Sequence, residues 1–583
     1  MQKLYQLLLV FLLFLLVFVG YFHRITAFTQ DMGRHLLLGK IIFTTQTVPA
    51  TNLLSYTHPS FPFLNHHYLS EVIFYLIFHA SGALGLLLMA TTLMLFSFGL
   101  LFRFAYKRSG LSACLAGLLL LPVLFERTDI RPEIFSFFFF SIFLVILYKN
   151  REKPTRLLYL LPLLIILWIN MHIYFFMGIL LILLFVIDAI LTHRRNIWCT
   201  YTKTLVATLL LSAGASLLNP QFLQGALYPL SAFNNYGYSI EENQTIFFLE
   251  SLGIHKTSVG YFKIAVFVLF LTLSLRFKKT RPIDWLLSIV FAAAGALAVR
   301  NLPLFALAVF IPFATNLALL LTSLSSKLMG LQKDKRTLLT HLFFLTVIAC
   351  SIWQLHTVSQ KNPIGFSIDP GATKAVDFLE KQQIKGPLFN NFDIGSYLAY
   401  RLYPRELVFV DGRPEAYPSD FFQKIYIPMQ ENESIFAKQE KHYRFNAIFF
   451  SHTDQTPWGE TFLLTILKNP SWKPVYLDQT VIILVKNTPE NTALIKRFGM
   501  NSTRLKADYN PNDKQSLLQI ASFFSKIGDT ENLFPLLQQL LSLDPENCQA
   551  LYNRARIALM KQDPLSLSYA TSYERICNKQ LLQ

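Results

Sequence analysis

The sequence predicts a polytopic α-helical membrane protein of about eleven transmembrane helices, followed by an extracytoplasmic α/β domain and a short helical end. Three observations predict it. Apolar runs long enough to span a bilayer recur from Leu8 to about Leu355. Only 15% of the 583 residues are charged, against roughly 25% in soluble domains, and the mean hydropathy is +0.40. The short loops between apolar runs alternate between basic and non-basic, and after His356 charges, Pro, Asn and Gln return.

The spans are expected near 5–22, 83–102, 111–126, 133–148, 157–170, 173–191, 204–218, 261–275, 284–299, 302–322 and 338–356. The first run has no small-residue cleavage site and reads as a retained helix. Alternate loops carry "RFAYKRSG", "YKNREKPTR", "THRRNIWCTYTK", "RFKKTRPI" and "SSKLMGLQKDKRT". By the positive-inside rule these five loops are cytoplasmic, and the N-terminus with Lys3 falls on the same side. The segments 23–82, 127–132, 171–172, 219–260 and 300–301, and the chain from His356 onward, then face outward. The localisation expected is integral, multi-pass and in the plasma membrane, with the C-terminal domain extracytoplasmic. The formal charge of +17 is explained by this topology, so it does not point to nucleic acid.

Three divisions follow. Residues 1–356 form the membrane core, with a first outer loop at 23–82. Residues 357–490 form the α/β domain: "NAIFFS" and "TVIILVKN" read as buried strands, "GPLFNNFDIGSYLAYRL" and "LVFVDGRPEAYP" as short strands and turns, and "PGATKAVDFLEKQQ" as a helix. Residues 491–583 end in helical periodicity with two polar breaks, similar to a tetratricopeptide-type (TPR-like) helical pair. The five cysteines form no Cys/His cluster.

The candidate site lies on the outer side. "TQDMGRHLLLGK" sets Asp31, Arg34 and His35 on one helical face just after the first span, and ionisable groups at a membrane boundary suggest function. The same loop ends in "FLNHHYLSEV", with His66, His67 and Glu71. Other outer segments supply Arg127, Asp129, Arg131 and Glu133, then Asn170 and His172, then Arg300 and Asn301. The positive-inside rule disfavours arginines in short outer loops, so Arg127, Arg131 and Arg300 are exceptions, and a bound anion would explain them. Structural alternatives stand beside each. Asp31 and Arg34 suit an i,i+3 ion pair. Arg300 suits snorkelling to headgroups, and Asn170 and His172 suit bonds between helices. Asp411 and Arg413 in "FVDGRPEAY" suit a turn.

Asp31, His35, Gly39, Pro49, "SYT" at 55–57 and "HYLSE" at 67–71 together resemble the first outer loop of bacterial integral-membrane glycosyltransferases of the GT-C fold class. These are similar to protein O-mannosyltransferases and to the aminoarabinose transferases that modify lipid A. "RPEIFS", "WINMHIYFFMG", "LLNPQFLQGALYP", "RNLPLFAL" and "NNFDIGSYLAYRLYPRELVFVDGRPEAY" extend the resemblance over about residues 1–490. It implies a GT-C-like core and a polyprenyl-phosphate sugar donor, with membrane lipids around it and a glycan, lipid or protein acceptor. It implies Asp31 as the catalytic carboxylate. Arg34, His35, His67, Glu71, Arg131, His172 and Arg300 would bind donor phosphate or substrate. Members often carry paired acidic residues in this loop. Here Gln30 precedes a single Asp31, and no residue pattern supports a divalent metal or another cofactor. Two other functions compete. A non-catalytic envelope scaffold would keep the core in degenerate form. A lipid or glycan transporter would need ionisable groups deep in the spans, whereas Asp188 and Asp284 lie near cytoplasmic ends.

Overall fold

The computed structural model describes residues 2–25, 31–152, 155–231, 236–328, 333–368, 371–501 and 504–577. The membrane part is α1 (Gln2–Tyr21), α2 (Met32–Thr45), α3 (Tyr68–Ser109), α4 (Leu111–Leu124), α5 (Glu133–Glu152), α6 (Leu160–Ile169), α7 (Phe175–Thr192), α8 (Thr200–Ala215), α9 (Phe222–Ser231), α10 (Ile246–Ser251), α11 (Thr257–Leu275), α12 (Pro282–Leu297), α13 (Leu302–Leu328) and α14 (Lys333–Lys361). Among the described residues seven helices are long and apolar enough to cross a membrane: α1, α3, α5, α7, α11, α13 and α14. Three shorter apolar helices, Leu111–Leu124, Arg156–Ile169 and Pro282–Leu297, fall where further spans are expected. The remaining expected span coincides with α8, a helix of 16 residues.

The centre of the core is α13. Its residues 302–314 are all buried, against α3, α4, α5, α11 and α12. At the periphery, Leu7, Phe11, Phe267 and Trp353 are 60–68% exposed, as a lipid-facing surface requires.

The first outer loop is more ordered than a connector. It holds α2, and its end is already helical, because α3 begins at Tyr68 and breaks only at Gly82 (φ 59°, ψ −152°). That backbone conformation suits glycine and redirects the chain between the outer turns of α3 and its membrane turns. The two outer helices pack backbone to backbone. A Cβ on Gly39 would stand 2.0 Å from the Glu71 carbonyl oxygen, which is why α2 carries glycine there.

Beyond α14 come α15 (Thr373–Lys381) and α16 (Phe392–Leu402), with a four-stranded mixed sheet: β1 (Leu388–Asn390), β2 (Ala447–Ser451), β3 (Trp472–Leu477) and β4 (Val481–Lys486). The strand order is β1-β2-β4-β3. β1 and β2 are parallel, and the other pairs are antiparallel, with Phe449 opposite Ile483. β2 is buried along its whole length and β4 up to Val485, so both read as continuous apolar runs. The expected strand in "LVFVDG" is a single bridge, Val408 with Ser55 of the first outer loop. β3, "WKPVYL", was not expected, since Lys473 and Pro474 interrupt its apolar pattern. Four helices end the chain: Lys514–Lys526, Thr530–Leu543, Cys548–Met560 and Ser566–Cys577.

The sheet domain is fastened to the first outer loop. Arg413 donates to both Asp411 oxygens at 2.7 Å and to Asn52 Oδ1 at 2.7 Å, and its guanidinium lies 4.6 Å from the Phe63 ring centroid. Tyr56 adds a bond to the Leu388 carbonyl. Asp411 and Arg413 are at most 1% exposed, so the structural alternative for this pair holds.

Gly39→Ala is expected to destabilise the protein by about 1–3 kcal/mol or more, the cost of overpacking a closed contact. Thermal unfolding in detergent reads it, and unchanged unfolding would mean that α2 and α3 separate easily.

Candidate functional site

Asp31 is the N-cap residue of α2, outside the end of α1. Arg34, one turn on, donates to Oδ1 at 3.2 Å, so the i,i+3 pair does form. Oδ2 is held by Arg131 Nη1 at 3.1 Å, from the segment leading into α5. The same nitrogen lies 3.4 Å from Glu242 Oε2. Glu242 sits in a single 3₁₀ turn, Glu241–Asn243, of the 219–260 segment. It also accepts from Arg127, which donates in turn to Glu133 at the start of α5.

Arg300 stands in the turn Val299–Asn301 between α12 and α13. It bonds Asn243 Oδ1 at 2.9 Å and lies 3.9 Å from Glu242 and 4.0 Å from Glu133, with the Tyr174 ring 5.8 Å away. Its side chain therefore turns into the protein, away from lipid headgroups. Arg131 and Arg300, far apart in sequence, meet on one carboxylate.

Burial pushes the Asp31 carboxyl up, but Arg131 and Arg34 outweigh it and hold the pKa below the ordinary carboxylate value. Glu242 is likewise enclosed, and Arg127, Arg131 and Arg300 hold it well below its ordinary value. Asp31 and Glu242 are thus carboxylates at neutral pH, each flanked by guanidinium groups.

Behind this row lies a second cluster. His35 Nδ1 meets Glu71 Oε1 at 2.9 Å, and Asn65 donates to Glu71 Oε2 at 2.6 Å. Asn65 in turn accepts the His67 backbone N–H at 3.0 Å. The His67 ring lies 5.6 Å from His35 and stacks on His172 at 5.2 Å. Trp168 donates to Ser136 Oγ at 2.7 Å, and Ser136 donates to His172 Nδ1 at 2.8 Å, which leaves the His172 proton on Nε2. Burial lowers the pKa of His35, aided by Arg34 and opposed by Glu71. Burial and neighbouring histidines lower His67 and His172 further, so all three rings are neutral. Glu71 and His172 are at most 2% exposed. They fix the loop and its rings and do not face an opening.

The sheet domain closes over Asp31. A Cβ on Gly412 would be 3.2 Å from Asp31 Oδ1, and Gly412 N–H is held by Ser396 Oγ at 3.1 Å. Asp393, in the first turn of α16, opens onto this junction. Its side chain keeps contact with solvent, and the surrounding protein with the charges of Asp454 and Asp31 pushes its carboxyl above the ordinary carboxylate value. Beside the junction a cavity of about 680 Å³ runs between α2, the outer part of α3 and α16, lined by Leu36, Leu37, Lys40, Tyr75, Phe78 and Tyr400 among others. Among the described residues no group of three or more His, Cys, Asp or Glu side chains is placed to hold a metal ion.

Sequence reasoning did not single out Glu242 or Asp393. Nothing local marks Glu242 in "SIEENQT". Asp393 had one usable signal, a lone acid opening a helix directly after a buried strand in "LFNNFDIG".

A carboxyl raised in the folded state costs stability as it ionises. The Asp393 cost is absent below its unfolded value of about 4 and grows as the pH rises through the raised folded value, reduced by the side chain's contact with solvent. Asp393→Asn is therefore expected to unfold at a higher temperature than the parent at pH 8, with the gap closing towards pH 4. A gap independent of pH, read by thermal unfolding, would contradict the shift.

No protein-family model matches the chain, and no curated protein matches it by sequence. Solved structures do match. The archaeal oligosaccharyltransferase AglB of Archaeoglobus fulgidus, in complex with an inhibitory peptide and a dolichol-phosphate, is 12% identical, with a TM-score of 0.55 over 94% of this chain and 86% of that one. The same enzyme tethered to an acceptor peptide containing the NVT sequon gives 12% identity and a TM-score of 0.54, over 93% of this chain and 86% of that one. ArnT of Cupriavidus metallidurans bound to undecaprenyl phosphate gives 13% and 0.48, over 82% and 97%. At such identities the likeness is one of fold, shared with the archaeal oligosaccharyltransferase.

Proposed function

We propose that the protein is a membrane glycosyltransferase that moves a sugar from a polyprenyl-phosphate-linked donor to an acceptor on the outer face of the membrane. The observation that carries this reading is the Asp31 carboxylate, ionised between Arg34 and Arg131 at the start of α2. The fold adds support, because its relative AglB was captured with a dolichol-phosphate.

In this reading the acceptor hydroxyl attacks the anomeric carbon, and its proton passes to Asp31 as general base. The bond from the anomeric carbon to the phosphate oxygen breaks, and its electron pair leaves with the phosphate. That leaving group needs no acid, only cations to meet its growing charge. Arg34, Arg131 and Arg300 supply these. His67, the least buried of the three rings, would line the substrate, with His35, Glu71 and His172 packed behind it. A second reading, a scaffold without activity, draws on one observation: each of these arginines already faces a carboxylate.

Turnover of polyprenyl-phosphate sugars by the purified protein in nanodiscs tests the proposal, and no turnover with any such donor would favour the scaffold. Asp31→Asn is expected to lower turnover by about 10²–10⁴-fold. Because the Asp31 pKa is lowered, the acid limb of the parent profile is expected below about pH 4. A limb near neutrality would assign the base elsewhere.

We also propose a cytoplasmic N-terminus and an extracytoplasmic sheet domain and helical end. The basic loops support this, and so does the Cys548–Cys577 disulfide (Cα–Cα 5.7 Å), since such bonds persist in oxidising compartments. A phosphatase fused to the C-terminus is expected to be active, with Cys548 and Cys577 unlabelled by maleimide until reduced. An inactive fusion with both thiols free would reverse the topology.

A further inference from the structure

Four guanidinium groups crowd the outer end of the core, from Arg34, Arg127, Arg131 and Arg300, against three carboxylates, Asp31, Glu133 and Glu242. The carboxylates differ in how they are held. Asp31 stands at the N-cap position of α2 and Glu133 opens α5, so both adjoin packed helices. Glu242 belongs to a three-residue 3₁₀ turn with no buried residue of its own. Its anchors are mostly polar and ionic. They comprise Arg127, Arg131 and Arg300 on Glu242, the Arg300 bond to Asn243, a bond from Val299 N–H to the Gln244 carbonyl, and Lys256, which links Glu241 to Glu126. A carboxylate shared by three arginines has the charge and the size of one edge of a phosphate, and guanidinium forks bind both anions in the same way.

We infer that Glu242 is a resident anion occupying the subsite where the donor's phosphate binds, and that donor binding displaces its turn. This rests on the proposed transferase reading and adds to it the residue that sets the occupancy of that reading's phosphate site. Withdrawing Glu242 removes one negative charge from beside Arg127, Arg131 and Arg300, which a phosphate bearing one to two negative charges would replace. The exchange also adds Arg127 to the arginines that meet the phosphate. Displacement needs no helix to move, because the turn is separate from α10 and buries no residue of its own.

The test measures binding of undecaprenyl phosphate to the full-length protein in nanodiscs. Glu242→Gln keeps the shape and removes the competing charge, and is expected to bind about tenfold tighter, as removal of one charged hydrogen bond predicts. Glu242→Asp keeps the charge and is expected to stay near the parent. Hydrogen exchange on the parent is expected to speed up at the backbone amides of 240–244 when the lipid phosphate is added. If the parent binds and Glu242→Gln binds equally or more weakly, or if those amides become more protected, Glu242 is a structural strut and the inference is wrong. If neither parent nor variant binds the lipid phosphate, the transferase reading fails as well. Circular dichroism and monodispersity of Glu242→Gln separate misfolding from weakened binding. If that variant does not fold, exchange in the parent decides alone.

Discussion

One guanidinium nitrogen, Arg131 Nη1, is shared by two carboxylates from separate outer segments, Asp31 at 3.1 Å and Glu242 at 3.4 Å. The rest of the outer architecture is arranged around that sharing. It ties the first outer loop, the entry to α5 and the 219–260 segment to one point, and through Glu242 it reaches the turn before α13. Losing one partner of such a partly buried pair leaves a charge uncompensated. The row of charges is therefore mutually dependent. Each arginine is tolerable beside the membrane because a carboxylate faces it, and each carboxylate stays ionised because an arginine does.

The histidine cluster works in the opposite electrostatic regime. His35, His67 and His172 are neutral, so Glu71 and Ser136 hold them through hydrogen bonds of fixed direction rather than through charge. This gives Asp31 a rigid backing on one side and the Gly412 turn on the other. The first outer loop can hold that geometry because α2 and α3 touch at Gly39 and because Arg413 fastens Asn52 and Phe63 to the sheet domain. A carboxylate set between elements that distant in sequence is one the protein can keep in place while substrates exchange beside it.

The membrane core was legible in the sequence because lipid imposes its demand residue by residue. Each backbone polar group must be satisfied within its own helix, so length and apolarity suffice to mark α1, α3, α5, α7, α11, α13 and α14. The buried strands β2 and β4 were legible for a similar reason, as unbroken apolar runs. The first part of α3 was not, because its apolar run from Val72 to Phe78 is too short to span a bilayer and Gly82, which ends it, reads as a loop signal. Neither was β3, where Pro474 obscured the pattern.

The sequence by itself determined which residues were candidates: an aspartate and arginines at outer membrane boundaries, where an unpaired charge is too costly to be incidental. Only the tertiary structure decided who pairs with whom. Arg131 on Asp31, Arg300 beside Glu242, and Asp393 raised by Asp454 and Asp31 join residues tens to hundreds of positions apart. Electrostatic coupling falls off with distance in space rather than along the chain, and no local pattern records it. Glu242 illustrates the limit. In "SIEENQT" it is one acid among several, and three arginines from two other segments give it a role.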